Sequence, residues 1–268
     1  MSIFKAANIL LPKNVDFSKW SVVACDQYSS EPEYWHRAEE IAKDSPSTLN
    51  IIYPEAYLNE LDGDKRIENI NRTMEKYLDN GIFNEYTDSL IYVERTQKNG
   101  KTRCGIVGVI DLEAYDYSVG SQSPVRATEG TIISRIPPRQ RIRRNAPLEL
   151  PHILMLADDR KKEIIEPLAD MTDKFEKVYD FDLMQGGGHI KGWLIDDVTN
   201  NEVLSKVDKL ESVEEFTEKY GITDKSVLAI AVGDGNHSLA TAKACWEELK
   251  KDLSAEEQQT HPARFALA

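Results

Sequence analysis

VLAIAVGDGNHSLATAKACWEELKKDL, residues 227–253, is the most informative segment of the chain. Its first six residues, Val227 to Val232, are apolar or small, and this run predicts a buried strand. The turn GDGNHS follows at residues 233–238. After the turn, apolar residues recur at three- and four-residue spacing, which predicts an amphipathic helix. We therefore expect a strand that passes into a helix through a glycine turn.

A glycine turn that opens a helix is a candidate anion site. The first backbone N–H groups of a helix lack internal partners and lie at its positive end, where phosphate or carboxylate can bind. Gly233 and Gly235 allow a close approach because neither carries a Cβ atom. Asp234 and His237 can hold a metal ion, accept a proton or bond a hydroxyl. The alternative is a tight turn in which an Asn or Ser side chain only caps the helix.

The composition limits the class of protein. A chain of 268 residues can form one large domain or two small ones, and 29% charged and 41% hydrophobic residues are ordinary for a globular protein. No apolar run approaches the ~18 residues of a membrane span, and no cleavage site follows the N terminus. Three cysteines without C-x-x-C spacing fit reduced thiols in the cytoplasm and argue against structural zinc.

Charge is distributed unevenly along the chain. The net charge of −13 disfavours nucleic-acid binding by the surface as a whole. Between Arg126 and Arg144, however, six arginines accompany one acid, Glu129, so this segment carries +5 and the rest of the chain −18. Prolines within and after it exclude a long helix, and arginines on irregular backbone bind phosphate or carboxylate in pairs of hydrogen bonds. We call residues 126–144 the arginine segment; the alternative is an exposed or oligomer-facing loop balanced by the protein's own acids.

A second polar turn is predicted near residue 26. Ser21–Ala24 is typical of a short strand, and Ser30 with Glu33 forms a capping-box pattern at the start of the next helix. Asp26 lies between the two elements, where sheet proteins often place binding groups. The alternative is a capping turn. Cys25 could be a nucleophile, although a lone Cys at a strand end is more often buried.

The remaining segments predict a mixed architecture. Asn99–Gly100 and the glycines at 186–188 predict two β-hairpins, and the segment ending at Asn80–Gly81 is a strongly amphipathic helix. Because strands and helices alternate without strict βαβ spacing, we predict an α+β fold, a mixed sheet with flanking helices. No linker marks a boundary, so we expect one domain over residues 1–268, with a possible N-terminal subdomain over 1–120.

Three separated blocks resemble one family of bacterial and archaeal proteins, the domain of unknown function 1015 family. They are SVVACDQYSSEPEYW (residues 21–35), VRATEGTIISRIPPRQRIRRNAPLELPH (residues 125–152) and VGDGNHSLATAK (residues 232–243). The final HPARFALA resembles the point where those proteins continue, so we expect a further C-terminal segment. The resemblance implies a soluble cytoplasmic protein and brings no settled activity.

The glycine turn is also similar to the Gly-x-His-Arg turn of the ParB/sulfiredoxin-like superfamily, which includes nucleotide-dependent free-serine kinases, CTP-binding partition proteins and sulfiredoxins. This likeness implies a ParB/sulfiredoxin-like core and a nucleotide phosphate site at the turn. Gly235 and His237 match, Asn236 is the variable residue, and Ser238 stands where the superfamily has Arg. Asn236 also stands where sulfiredoxins carry their cysteine, so that chemistry is not implied. The arginine segment would have to supply the missing cation.

These observations predict a nucleotide-dependent phosphotransferase acting on a small hydroxylated or carboxylated metabolite, with ATP, ADP or CTP and Mg²⁺. The candidate catalytic residues are Glu129, Asp26 and His237. The candidate phosphate- or nucleotide-binding residues are Gly233, Asp234, Gly235, Asn236, His237, Ser238, Arg126, Arg135 and Arg139. Asp234 is the candidate Mg²⁺ ligand. Glu129 is preferred as the base because hydroxyls and an arginine surround it, and a salt bridge to those arginines is its alternative role.

Two other functions stay open at this point. A non-catalytic nucleotide- or metabolite-binding regulatory protein would use the same turn and arginines without a base. Metal-assisted hydrolysis could use His152, His237, Asp158 and Asp159, although their spacing is not a known ligand set. Neither nucleic-acid nor membrane binding is expected, and a homo-oligomer is possible.

Overall fold

The computed structural model describes residues 2–58, 62–150 and 153–268, which form a mixed α+β structure. The strands are β1 Phe4–Lys5, β2 Ala7–Pro12, β3 Phe83–Ser89, β4 Ile91–Thr96, β5 Thr102–Val107, β6 Val109–Asp111, β7 Tyr115–Asp116, β8 Val125–Ala127, β9 Leu154–Ala157, β10 Glu176–Leu183, β11 Gly188–Leu194, β12 Ile230–Asp234 and β13 Phe265–Leu267. The α-helices are α1 Phe17–Trp20, α2 Pro32–Ala42, α3 Gly63–Asp79, α4 Ile136–Arg143, α5 Glu166–Ala169, α6 Asp197–Lys209, α7 Val213–Tyr220, α8 Asn236–Leu249 and α9 Glu257–Thr260. Single-turn 3₁₀ helices include Glu55–Tyr57 and Ile133–Arg135.

A mixed sheet carries the glycine turn. Its strand order is β7-β8-β12-β9, with β12 parallel to β8 and antiparallel to β9. Val232 on β12 lies opposite Ala127 on β8, so both strands end at the same edge of the sheet. The other sheets in the described chain have the orders β1-β6-β13, β10-β11-β4-β5 and β2-β3. The predicted α+β fold with a mixed sheet is confirmed, and the ParB/sulfiredoxin-like core stays a prediction.

The helix after the turn is fixed by a buried core. Val125, Val232, Leu239 and Trp246 are all at most 1% exposed and belong to one hydrophobic cluster, which also includes residues of the other sheets. Burying a large apolar side chain contributes roughly 1.5–3 kcal/mol, so these contacts anchor α8 firmly under the turn. A second cluster around Trp35 joins α2 and α3, and the side chains of Ile142 and Leu148 from the arginine segment and its flank pack against it.

Strand β12 begins later than the apolar run in the sequence predicts. The apolar run starts at Val227, but β12 starts at Ile230. The carbonyls of Ser226 and Val227 instead accept hydrogen bonds from Arg126, which removes them from the sheet ladder. The helix after the turn and both hairpins are confirmed, and Gly100 at the first hairpin has φ +78°, which favours glycine.

The predicted elements around residue 26 need correction. Residues 21–24 form no strand; they link α1 to the turns that precede α2 without regular secondary structure. The Ser30–Glu33 capping box is also wrong, because α2 starts at Pro32 with Glu31 as its N-cap and no side-chain cap hydrogen bond. Proline suits the first helical position, since its missing N–H needs no partner there. The two prolines of the arginine segment likewise lie in the first turn of a helix, α4, whose eight residues agree with the expectation that no long helix forms there.

Strand pairing crosses the possible boundary at residue 120. β4 pairs with β11, and β6 pairs with β13, so strands from both parts of the chain share sheets. The number of domains stays a prediction. Among the described residues, no helix combines the length and the apolar character that crossing a bilayer requires.

Candidate functional site

The glycine turn places the first amides of α8 at the sheet edge. Gly235 is the N-cap residue, with φ +81° and ψ +24°, a left-handed conformation that costs glycine little. Glycine has no side chain to cap the helix, and the Asp234 carboxylate accepts from the Gly235 N–H at 2.8 Å. Neither Asn236 nor Ser238 occupies the N-cap position. The helix therefore begins with backbone donors at its positive end and no side-chain cap.

A cavity of about 470 Å³ lies against this turn. A cavity of this volume lies within the range of small-ligand sites. Four segments line it, namely the 26–29 turn, residues 55–58, residues 129–139 and the glycine turn. Of the predicted residues, it brings together Asp26, Glu129, Arg135, Arg139, Asp234, Gly235, Asn236, His237 and Ser238.

Two of the predicted residues do not line the cavity. Arg126 donates to the carbonyls of Val227 at 2.6 Å and Ser226 at 3.0 Å, and burial lowers its pKa. Its expected role as a phosphate clamp is therefore corrected to a tie between β8 and the start of β12. At Gly233, an added Cβ would stand 3.0 Å from Leu156 Cγ, so this glycine serves close packing against β9.

The arginine segment is divided between ion pairs and the cavity. Four of its arginines pair with acids, as Arg139–Glu55, Arg141–Asp64, Arg143–Glu149 and Arg144–Glu248. Arg135 is exposed and forms no ion pair with the described part of the chain. Most of the segment is therefore balanced by the protein's own acids, while Arg135 and Arg139 line the cavity. Anion binding by these two arginines stays a prediction.

Two hydrogen bonds hold Glu129 above the glycine turn. Because β8 and β12 run parallel, the segments that leave their ends start from one edge of the sheet. Thr128 Oγ1 then donates to the Val232 carbonyl at 2.5 Å, and the Ile132 N–H donates to His237 Nε2 at 3.2 Å. The chain is thus tied down on both sides of Glu129, whose carboxylate is exposed.

The hydrogen bond from Ile132 defines the state of His237. Nε2 accepts this bond, so the imidazole is neutral and carries its proton on Nδ1. Burial lowers the pKa of His237, and the positive charges of Arg139 and Arg135 lower it further. In this arrangement the Nε2 lone pair is not free to accept a substrate proton. His237 instead positions the Glu129 segment and offers a donor.

Sequence reasoning missed Glu55, which lines the cavity and pairs with Arg139. Its backbone N–H donates to the Cys25 carbonyl at 2.7 Å, which brings the 3₁₀ helix beside Asp26. Glu55 follows Pro54 in a connector, and no local pattern indicates this long-range contact. Ser29, Leu58, Ser134 and Pro138 also line the cavity without having been expected. Burial raises the pKa of Cys25 to about 12, so its thiol is protonated and a poor nucleophile.

The cavity is more acidic than the sequence suggested. Four carboxylates, from Asp26, Glu55, Glu129 and Asp234, face two guanidiniums and a neutral imidazole. In the described residues, no three His, Cys, Asp or Glu side chains are grouped closely enough to hold a metal ion by themselves. Mg²⁺ commonly uses one or two carboxylates together with phosphate oxygens and water, so the carboxylates fit it only alongside a phosphate ligand.

Of the described residues proposed for metal-assisted hydrolysis, Asp158 and Asp159 do not line the cavity with His237. Asp158 is bound by Lys219 and Tyr220, and the Asp159 carboxylate accepts from the Ile164 N–H. His152 lies outside the described residues.

The fold and site define an α+β protein with a polar cavity at a strand–glycine turn–helix junction. A family model described as "Protein of unknown function (DUF1015)" matches residues 7–268, and the chain belongs to this family. No curated protein and no solved structure matches the chain. The likeness to the ParB/sulfiredoxin-like superfamily therefore stays a prediction, as do the cytoplasmic location, the absence of nucleic-acid binding and a homo-oligomer.

Proposed function

We propose that the cavity at the Gly235 turn binds a nucleotide by its phosphates and transfers a phosphoryl group to a small hydroxylated or carboxylated metabolite. One observation carries the proposal: the uncapped start of α8, two arginines and the carboxylates of Asp26 and Glu129 share a single cavity. Phosphoryl transfer needs mainly positioning and neutralisation of spreading charge, and these groups supply both.

Backbone and side-chain donors support the phosphate end of the site. The amides of Asn236 and His237 lie at the positive end of α8, which has 14 residues. Arg135 is exposed and unpaired within the described residues, so its guanidinium can bind phosphate oxygens without breaking an ion pair. The Nδ1–H of neutral His237 provides another donor.

Glu129 is the preferred general base for the acceptor. In the transfer, the acceptor oxygen forms a bond to the γ-phosphorus, the bond from that phosphorus to the β–γ bridging oxygen breaks, and the nucleoside diphosphate leaves. Glu129 takes the acceptor proton, because its segment is held at both ends beside the turn. Asp26 is the second candidate base. Asp234 would hold Mg²⁺ together with phosphate oxygens, and the ion would neutralise charge on the phosphates.

A thermal-shift experiment tests binding. We expect ATP, ADP or CTP with Mg²⁺ to raise Tm, because a ligand at 100 times its Kd adds about 2.7 kcal/mol to folded-state stability. For a domain of this size this corresponds to a rise of roughly 5 °C or more. Arg135→Ala should abolish most of the rise. Arg144→Ala is the matched control, since Arg144 belongs to the same segment but pairs with Glu248 away from the cavity. No shift with any nucleotide at millimolar concentration would sink the proposal.

A turnover experiment separates the enzyme from the binding protein. With a mixture of hydroxy acids and amino acids as acceptors, we expect the wild type to convert nucleoside triphosphate to diphosphate. Glu129→Gln should lower that rate by roughly 10²–10⁴-fold while the nucleotide-induced Tm shift persists. The second candidate function, a non-catalytic regulatory protein, is favoured by the hydrogen bond from the Ile132 N–H, which occupies the His237 Nε2 lone pair and leaves one candidate catalytic residue unable to act as a base. Binding without turnover in the wild type would select it.

A further inference from the structure

We infer that Tyr28 is a stacking platform for the base of the bound nucleotide. The inference rests on the proposed function, because it assigns the end of the ligand that extends away from the Gly235 turn. If the inference is right, the ligand is a nucleotide, which carries a planar base, and a bare polyphosphate is not enough.

The aromatic pair formed by Tyr28 and Tyr34 has the geometry of a platform. The ring centroids are 4.0 Å apart and the planes differ by 8°. Tyr34 is 9% exposed and makes an edge contact with Trp35, so it is a fixed support within the core. Tyr28 is 40% exposed, so the supported ring still presents surface to solvent. A ring held in one orientation loses little conformational freedom when a second ring stacks on it.

The backbone at Tyr28 presents the ring at a steric cost. Its φ of +51° lies in the left-handed region, which glycine or asparagine adopts more readily than tyrosine. In this turn the Tyr28 carbonyl accepts a hydrogen bond from the Glu31 N–H at 3.0 Å. Strained backbone of this kind is concentrated at ligand sites. We therefore take the exposed Tyr28 ring as the functional group of this turn.

The position of Tyr28 matches the reach of a nucleotide. Asp26 and Ser29, on either side of it, both line the cavity at the Gly235 turn. Tyr28 itself does not line the cavity, but its Cα atom is about 3.8 Å from that of Ser29 by covalent geometry, so the residue adjoins the cavity rim. Every base has a π-face that can stack on a tyrosine, so the platform accepts a nucleotide without selecting one base by hydrogen bonding.

Calorimetric titration with two ligands tests the inference. ATP carries a base, whereas inorganic tripolyphosphate offers only the phosphate chain. We expect Tyr28→Ala to weaken ATP binding roughly tenfold and to leave tripolyphosphate binding unchanged, whereas Tyr28→Phe should bind both ligands like the wild type. Tyr220→Ala is the matched control. Tyr220 is also an exposed tyrosine, 47% exposed, that contacts another ring, Phe216, but unlike Tyr28 it has no sequence neighbour that lines the cavity.

The two ligands distinguish the possible failures. If wild type binds both ligands and Tyr28→Ala weakens neither, or weakens both equally, the platform is disproved while the phosphate site stands. If the wild type binds neither ligand, the proposed function fails and the platform fails with it. Thermal unfolding of each variant checks that the substitution leaves the fold intact.

Discussion

The guanidinium of Arg139 is paired with the carboxylate of Glu55, and both side chains line the cavity at the Gly235 turn. Both are mostly buried, with 17% and 20% of their side-chain surfaces exposed, so solvent screens the pair less than an exposed one. A phosphate that binds Arg139 must compete with Glu55 for the same donors. The protein's own acid therefore opposes anion binding until a ligand displaces it.

Glu55→Gln should strengthen the binding of tripolyphosphate. The substitution removes a negative charge from the cavity and frees Arg139, and we expect roughly a fivefold lower Kd, equivalent to about 1 kcal/mol. Titration calorimetry at constant ionic strength measures the change. Asp64→Asn is the control, because Asp64 pairs with Arg141 outside the cavity and is 82% exposed. Weaker binding by Glu55→Gln would show that Glu55 supports the ligand instead of competing with it.

His237 should titrate below the ordinary histidine pKa of about 6.5. Burial and the neighbouring arginines favour its neutral form, and the Ile132 N–H bonds Nε2. Below pH 6.5 the imidazole is protonated in the unfolded state but still neutral in the folded state. The free energy of unfolding therefore declines as pH falls from 6.5 through the folded pKa. Long-range ¹H–¹⁵N NMR should show an Nδ1–H tautomer at pH 7.5. An Nε2–H tautomer, or a pKa above 6.5, would contradict this account. His237→Gln, which keeps an acceptor, should reduce the pH dependence of urea unfolding between pH 7.5 and 5.5.

Arg264 and Asp111 form a buried pair that should be costly to break. Arg264 Nε and Nη2 donate to the two carboxylate oxygens at 2.9 and 2.6 Å, and the side chains are 6% and 3% exposed. Arg264→Met leaves a buried carboxylate uncompensated, so we expect a loss of about 3–5 kcal/mol in the free energy of unfolding. The double variant Arg264→Met with Asp111→Leu should recover much of this loss. Arg141→Met, at an exposed pair, should cost about 1 kcal/mol or less.

His189 should titrate above 6.5, in the opposite direction to His237. Hydrogen bonds to the Asp182 and Asp180 carboxylates raise its pKa, at 2.6 and 2.7 Å from the two ring nitrogens. The resulting stabilisation is complete below pH 6.5 and is lost as pH rises through the folded pKa. Histidine NMR titration measures this. Asp182→Asn should lower the pKa toward the ordinary value, and an unchanged pKa in that variant would refute the assignment.

Local patterns in the sequence predict the centre of the site well. The strand, the glycine turn and the helix follow from periodicity and from glycine's freedom, and they occur within a few residues of the expected positions. The sequence indicates Asp26 by its place after a predicted strand, and Glu129 by the hydroxyls and the arginine around it. The structure puts both at the cavity, although residues 21–24 form no strand. These placements could be predicted because each depends on short-range chemistry, whereas the roles of Glu129 and Asp26 stay predictions.

Local patterns miss three features that depend on contacts formed only in the folded structure. Glu55 reaches the cavity through one backbone hydrogen bond to Cys25, thirty residues earlier, which no periodicity encodes. Arg126 resembled the other arginines in its segment, but the carbonyls that bind it come from residues 100 and 101 positions later. Tyr28 gave no local signal, since its left-handed backbone and its partner ring appear only in three dimensions.

The three-stranded sheet places β1, from residues 4–5, and β13, from residues 265–267, on opposite sides of β6. Strands are about 4.8 Å apart, so segments separated by some 260 positions along the chain lie about 10 Å from each other. During synthesis on the ribosome this sheet cannot close until the segment with β13 has emerged. The buried pair of Asp111 and Arg264 cannot form before then either. Closing this sheet therefore depends on pairing between segments at opposite ends of the described chain, and pairing at such sequence separation is intrinsically slow.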